Sequence, residues 1–157
     1  MISKELLREF TVAVRQSTLK RLLKVPKGYE CWKISPGSLS FAEVAQHLID
    51  IDEWLIRKIE TPDLKSIKTQ TAIMDECSRE KFINLINGLK ETLEKKLKII
   101  DNFMEEDLKK KLYDDSYDTE MSMAMLILRR NLDHETHHRG QLAVYLRVLE
   151  TRLDQIT

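Results

Sequence analysis

Apolar residues recur at helical spacing in four long segments, and no segment alternates apolar and polar residues in the manner of a half-buried strand. One segment begins at Ser40 and ends before Pro62, and the other three cover about residues 3–24, 78–103 and 120–150. Each segment has one apolar face, which in a globular protein packs against another element. The pattern therefore predicts an all-α fold, an antiparallel four-helix bundle, with no strand.

Helix-start and helix-stop residues support these boundaries. Ser40 and Glu43 form the Ser-x-x-Glu pattern of a capping box, which satisfies free backbone N–H groups at the start of the second helix. The connector 25–39 carries two prolines and two glycines, which end the first helix. The polar stretch 104–119 is expected to be a loop with a helical turn. For the first helix we expect a buried face made of Leu6, Phe10, Val14, Leu19 and Leu22.

Composition limits the classes of function. The 157 residues fit one domain, 1–157, and 26 Lys and Arg side chains balance 26 Asp and Glu side chains. Because binding to nucleic acid or to an anionic membrane usually shows a basic excess, we expect neither partner. No apolar run reaches the roughly 18 residues of a membrane span. The first residues lack the basic-then-apolar order of a signal peptide, so the sequence predicts a cytoplasmic protein.

The chain has two cysteines, Cys31 and Cys77, whose spacing matches no metal-binding or redox motif. Two arrangements are compatible with this spacing, a disulfide or two free thiols. We expect two reduced, half-buried thiols.

Three of the four histidines, His134, His137 and His138, lie within five residues of the fourth predicted helix. Each helical residue advances about 100°, so His134 and His138 are one turn apart on the same face, and His137 lies nearer the rim. Buried imidazoles need hydrogen-bond partners, and one metal ion satisfies two rings at once. The face points inward because it also carries Ile127, Leu142, Tyr145 and Leu149.

Residues 134–138 also fit H-E-x-x-H, the pattern of zinc proteases, in which Glu135 would be the general base. Such proteases take a third ligand from downstream and bind their substrate along a β-strand. No histidine follows His138, Gly140 comes one residue too early for the longer protease motif, and no strand is predicted. We therefore reject the protease interpretation and expect Glu135 along the flank of the helix.

A third ligand must then come from upstream, and His47 is the only other histidine. It lies at the edge of the apolar stripe of the second helix, which in a bundle can face the fourth helix. Three imidazoles leave a coordination position open, as catalytic zinc sites do. The sequence therefore predicts a divalent ion of zinc, nickel or iron on His47, His134 and His138.

Three further residues are candidates for the surroundings of the ion or for substrate contact. Asp50 is one turn from His47 and can accept the second ring proton of that ligand. Gln141 lies on the histidine face and can orient a ligand. Tyr145 is expected in the core, with its hydroxyl directed at the site as the alternative.

Two blocks of sequence resemble the DinB family. The downstream block is His134-x-x-x-His138-Arg-Gly-Gln-Leu followed by Tyr145-Leu-Arg, and the upstream block is Tyr29-x-x-Trp32, Ser35-Pro36-Gly37 and Ser40-Phe41-x-Glu43-x-x-x-His47. The resemblance runs nearly end to end. It implies a four-helix bundle of the DinB/YfiT-like type, usually a homodimer. It also implies a metal site with one histidine from helix two and two from helix four, here His47, His134 and His138.

The resemblance implies several functions as well. Some relatives transfer bacillithiol or mycothiol or isomerise maleylpyruvate with mycothiol, and many have no assigned reaction. We expect a metal-dependent thiol S-transferase that acts on small electrophiles, with a low-molecular-weight thiol as cosubstrate activated as its thiolate. Two alternatives stay open, a non-catalytic metal-stabilised protein that binds a small ligand or partner, and a metal-dependent hydrolase.

Overall fold

The computed structural model describes residues 2–66 and 73–156, and its long helices pack as a bundle. The first three are α1 (Lys4–Leu22), α2 (Phe41–Glu60) and α3 (Arg79–Asn102). The fourth is a continuous helical stretch in three parts: α4 (Met123–Ile127), a π-helical segment (Leu128–Leu132) and α5 (Asp133–Ile156). The predicted all-α four-helix bundle is confirmed, although the fourth helix begins three residues later and ends six residues later than expected.

Serine side chains cap the start of each long helix. Ser3, Ser40, Ser78 and Ser122 each accept a hydrogen bond from the backbone N–H three residues onward. The capping box at Ser40 is confirmed, because its N–H donates to Glu43 Oε2 at 2.7 Å and its Oγ accepts from the N–H of Glu43 at 3.2 Å. This box fixes the start of α2, seven residues before the first histidine.

The directions of the helices follow from the order of their contacts. Asp101, near the end of α3, pairs with Arg8 of α1, so these two helices are antiparallel. The first turns of α5 lie against α2 in the opposite direction. By contrast, α2 and α3 run parallel and approach closely at Gly88, where a Cβ atom would lie 2.9 Å from Ile49 Cδ1. The glycine that weakens α3 locally therefore permits the packing of α2.

A short β-hairpin lies where the sequence predicted only a loop. Strands β1 (Lys111–Asp114) and β2 (Thr119–Ser122) pair antiparallel after a single 3₁₀ turn at Asp107–Lys109. The prediction of no strand was therefore wrong, because four-residue strands are too short for a periodic signal. The buried Asp114 carboxylate pairs with Arg130 at 2.9 Å, and the Arg130 guanidinium lies 4.7 Å from the ring centroid of Trp54. The hairpin is thereby joined to the π-helical segment.

The buried face of α1 differs from the predicted one. Leu6 and Phe10 are 55% and 46% exposed, whereas the helix turns a mixed face inward. That face consists of Leu7, Thr11, Val14, Arg15, Thr18 and Leu22. A fully buried arginine at its centre is the reason, since its partners, described below, require this rotation of the helix.

The apolar core forms two clusters at opposite ends of the bundle. One cluster gathers the start of α2, the start of α3 and the end of α5, and its members include Phe41, Val44, Leu48, Phe82, Leu89, Leu142 and Tyr145. The other cluster gathers the end of α2, the end of α3 and the segment after β2, and its members include Trp54, Leu55, Ile100, Leu126, Ile127 and Leu132. Within the described ranges, no helix has both the length and the apolar content that a membrane crossing requires.

Candidate metal centre

The three predicted histidines come together between α2 and α5. His47 Nε2 lies 2.8 Å from His134 Nε2, which in turn lies 3.0 Å from His138 Nε2. The ring centroids are 4.8 to 5.0 Å apart, so the three imidazoles form a nearly equilateral triangle. Their planes are inclined by 49° to 76°, and their nitrogen edges converge without stacking of the rings.

The π-helical segment lies directly before the histidine pair. Segments of this kind are rare and occur often at functional sites, because they change the phase of the helix that follows. Here Asn131 in the segment and Glu135 in α5 both point into the bundle. His134 and His138, one turn apart, face His47. The same stretch of chain thus contributes Asn131 and Glu135 to one group of polar residues and His134 and His138 to another.

The imidazoles are held in the neutral form. Burial and the neighbouring His47 lower the pKa of His134 to about 4. Burial and the neighbouring His134 lower the pKa of His138 to about 4, against the opposing effect of Gln141. Burial also lowers the pKa of His47, which the Asp50 carboxylate partly offsets. At neutral pH the rings therefore keep the lone pairs that metal ligation needs.

Gln141 fixes the orientation and tautomer of one ring. Its carbonyl Oε1 accepts a hydrogen bond from His138 Nδ1 at 2.8 Å, and its amide Nε2 donates to His137 Nε2 at 3.1 Å. Because a carbonyl oxygen only accepts, the proton of His138 lies on Nδ1, and its Nε2 lone pair points at the other two rings. Metal-ligating histidines characteristically have such a second partner.

The other predicted neighbours have different surroundings. Asp50 accepts a hydrogen bond from Gln46 at 2.9 Å, and its charge offsets part of the lowering of the His47 pKa that burial causes. Tyr145 is buried in an aromatic cluster with Trp32 and Phe41, at ring separations of 5.9 to 6.2 Å. His137 is exposed and lies outside the triangle, as its helical position predicted.

Glu135 is the clearest correction to the sequence interpretation. It was expected along the helix flank, but only 1% of it is exposed and both of its oxygens accept from Arg15, at 2.7 and 2.9 Å. An arginine-carboxylate pair of this bidentate kind is strong and geometrically specific. Glu135 is therefore committed to a buried ion pair and points away from the role that the H-E-x-x-H pattern suggested.

This ion pair belongs to a larger buried network that the sequence did not predict. Asp52 of α2 accepts from Arg15 Nη2 at 2.7 Å and pairs with Lys96 Nζ at 2.6 Å. Asp52 also accepts hydrogen bonds from Asn131 and Thr92. Two cations and two anions balance, and the pKa of Asp52 falls to about 2, because the attraction of Lys96 and Arg15 outweighs the opposing effect of burial.

The donor set of the triangle fits a divalent transition metal. The potential ligand atoms that lie within 4.8 Å of one another there belong to the three histidines. Two imidazole nitrogens bound to one zinc ion at about 2.0–2.1 Å lie roughly 3.3 Å apart in tetrahedral geometry, close to the separations found here. Imidazole suits zinc, nickel and iron, whereas magnesium and calcium prefer oxygen ligands.

Solved structures with the same fold come from several bacteria. A DinB-like protein from Bacillus subtilis is 22% identical, with a TM-score of 0.68 over 92% of this chain and 91% of that chain. A DinB-like protein from Bacillus cereus is 17% identical, with a TM-score of 0.71 over 93% and 92% of the two chains. An uncharacterised protein from Clostridium difficile is 14% identical, with a TM-score of 0.70 over 94% and 98%.

At these identities the likeness shows the fold and does not assign an activity. No curated protein matches the chain. The sequence itself matches the model of the DinB family over residues 1–149, a range that includes all three histidines and both blocks of resemblance. The chain belongs to the DinB family.

Proposed function

We propose that the chain binds one divalent metal ion through His47, His134 and His138 and uses it to activate a low-molecular-weight thiol for transfer to a small electrophile. The proposal rests on the convergence of three neutral imidazoles: His134 Nε2 lies 2.8 Å from His47 Nε2 and 3.0 Å from His138 Nε2, and the potential ligand atoms of the three residues all lie within 4.8 Å of one another. The neighbouring ion network contains both cations and anions, which satisfy each other. The triangle contains only neutral rings with lone pairs, and no cation within it accepts them. A cation supplies what the three lone pairs lack.

The residues around the triangle support an open site. His47 on α2 and His138 on α5 are buried, while His134 on α5 is partly exposed. Three protein ligands leave room for one further ligand. When bound there, a divalent ion supplies a positive charge that favours the thiolate over the thiol at neutral pH.

Glu135 distinguishes transfer from hydrolysis. A hydrolase of the H-E-x-x-H type needs a free carboxylate to take a proton from water. The Glu135 carboxylate instead accepts two hydrogen bonds from Arg15 in the protein interior. A thiol needs less help than water to ionise, since its pKa is about 8.5. The arrangement therefore favours thiol transfer over water activation.

An activity assay tests the reaction. Bacillithiol, glutathione and coenzyme A would each be offered with an electrophilic dye to zinc-loaded or nickel-loaded protein. We expect thiol consumption with wild type and with His137→Ala, and loss of the rate with His138→Ala. His137 is a matched control because it is the adjacent residue and lies outside the triangle.

The possible outcomes separate the functions. Equal rates for wild type and His138→Ala would reject the transferase. If all rates equal the uncatalysed rate while metal binding still depends on His138, the protein is a metal-stabilised binding protein. A higher melting temperature on metal loading, with no turnover, would be the signature of that alternative.

We further propose that the protein is a cytoplasmic homodimer. Leu6 and Phe10 are one turn apart on α1 and both are about half exposed, which supports a contact between copies through this helix. Light scattering on a size-exclusion column should give twice the mass of 18.5 kDa for the wild type. Phe10→Glu should shift it toward the monomer, and a monomeric wild type would contradict the proposal.

A further inference from the structure

Both cysteines lie at the same end of the bundle, although 46 positions separate them in sequence. Cys31 lies in the connector between α1 and α2, and Cys77 immediately precedes Ser78, the N-cap of α3. Each is partly buried, and both pack against the apolar cluster that contains Phe41 and Phe82. The bundle thus brings the two cysteine-bearing segments together.

Polar contacts beside the cysteines hold the two segments against each other. The Arg79 guanidinium donates to Glu30 Oε1 at 3.2 Å and to the backbone carbonyl of Val25 at 2.9 Å. Glu30 precedes one cysteine directly, and Arg79 follows the other by two residues. The backbone N–H of Met74 also donates to Glu43 Oε1 at 2.8 Å. The proximity of the cysteines therefore rests on several contacts that do not involve sulfur.

The two thiols pack against the same apolar cluster, and their surroundings differ. Each thiol affects the ionisation of the other, and the Cys77 thiol donates to the backbone carbonyl oxygen of Ser78 at 3.6 Å. Burial and the charge of a Cys77 thiolate raise the pKa of Cys31 to about 11. Burial also raises the pKa of Cys77, but the Lys81 charge and the Cys31 thiol oppose that effect. Of the two thiolates, that of Cys77 therefore has the neighbours that stabilise it.

We propose that Cys31 and Cys77 form a reversible intramolecular disulfide when hydrogen peroxide oxidises the protein. The Cys77 thiolate attacks the peroxide, its sulfur is oxidised to a sulfenic acid, and hydroxide leaves as the O–O bond breaks. This step removes the negative charge that disfavoured ionisation of Cys31. Cys31 then attacks the sulfenic sulfur, forming the S–S bond and releasing a second hydroxide. With the two thiol protons the products are one disulfide and two waters.

The disulfide would join two connectors and close a long loop of chain. Closing a loop of this length restricts the unfolded chain and should raise the melting temperature by on the order of 10 °C. The connector also carries Trp32, whose ring stacks on Phe41 at 6.0 Å. The proposed disulfide would therefore tether the segment that packs on the start of α2, the helix that bears His47.

The experiment uses the full chain, stripped of metal with a chelator so that the outcome does not depend on the proposed metal site. Wild type would be treated with hydrogen peroxide at low protein concentration. We expect free thiols to fall from two to none, the mass to fall by two hydrogens, and one crosslinked peptide containing both cysteines. Reductant should restore both thiols and the lower melting temperature.

Two single variants separate the steps. Cys31→Ser should keep the sulfenic acid on Cys77, where dimedone traps it, and Cys77→Ser should react more slowly. Neither variant should gain thermal stability on oxidation. Retention of both thiols in the wild type, or a disulfide between two chains, would overturn the proposal. Equal reactivity of the two variants would overturn the assigned order of attack.

Discussion

Two polar clusters share residues of α2 and α5, and the polar groups of each cluster are satisfied in a different way. The ion network of Arg15, Asp52, Lys96 and Glu135 contains equal numbers of positive and negative groups, and Thr92 and Asn131 complete its hydrogen bonds. The histidine triangle contains three neutral rings whose Nε2 atoms point at one another. One cluster is complete within the protein, and the other has the composition of a cation site.

The contrast gives each cluster a different role, although α2 and α5 contribute residues to both. On α2, Asp52 belongs to the network and His47 to the triangle, and on α5 Glu135 lies between His134 and the turn that carries His138. The network fixes the rotation of α1, α2, α3 and α5 relative to one another. That rotation is what brings the three imidazoles together. We therefore expect changes in the network to alter stability first and changes in the triangle to alter metal binding first.

The largest expected effect comes from removing one anion of the network. Asp52→Ala leaves Arg15 and Lys96 buried beside a single carboxylate, so the free energy of unfolding should fall by about 3–5 kcal/mol. Urea unfolding followed by circular dichroism measures it. Glu53→Ala, at the exposed next position of the same helix, should change the free energy by no more than about 0.5 kcal/mol. Equal losses in the two variants would contradict the structural role of the network.

The second prediction concerns the hydrogen bond that orients His138. Gln141→Ala removes the acceptor of the His138 Nδ1 proton, so metal affinity should fall by about 10- to 100-fold. The free energy of unfolding of the metal-free protein should change little, since Gln141 lies at the edge of the bundle. Calorimetric titration with zinc measures the affinity. His137→Ala removes the other partner of Gln141 and should leave the affinity nearly unchanged; if it weakens binding as much as Gln141→Ala does, Gln141 acts in another way.

The third prediction concerns the decrease in the free energy of unfolding at low pH. The folded pKa of Asp52, about 2, lies below its ordinary value of 3.8. Its contribution is therefore complete above about pH 4 and is lost as the pH falls through about 2, where the carboxylate protonates in the folded state. The loss should be on the order of 2 kcal/mol. Unfolding of wild type and Asp52→Asn between pH 5 and pH 2 should show the steeper decline in the wild type; parallel curves would contradict the assignment.

The histidines were predictable because their signal is local. His134 and His138 are one helical turn apart, and Gln141 follows at i+3, so the geometry of a single helix places them together. His47 could be assigned as the third ligand because it is the only histidine outside the group His134, His137 and His138. The four-helix bundle was likewise predictable from long apolar stripes and from the capping box at Ser40.

The ion network was not predictable because its members come from four different segments. Arg15 has no local partner in α1, and periodicity alone favours the exposed pair Leu6 and Phe10 as a buried face. A weak signal existed in the polar row Thr11, Arg15 and Thr18, which is continuous with Leu7, Val14 and Leu22. The burial of this row is explained only by the ion pairs that Arg15 forms with Asp52 and Glu135. The hairpin was not predicted for a different reason: its strands are four residues long, too short for a periodic signal.

The most direct test of the central claim is metal stoichiometry. Protein purified without added metal or a histidine tag would be dialysed against zinc or nickel and subjected to elemental analysis, together with His134→Ala and His137→Ala. We predict one ion per chain in the wild type and in His137→Ala, and a value near zero in His134→Ala. A wild type that holds no ion, or a His134→Ala variant that holds as much as the wild type, would contradict the assignment of the triangle as a metal centre.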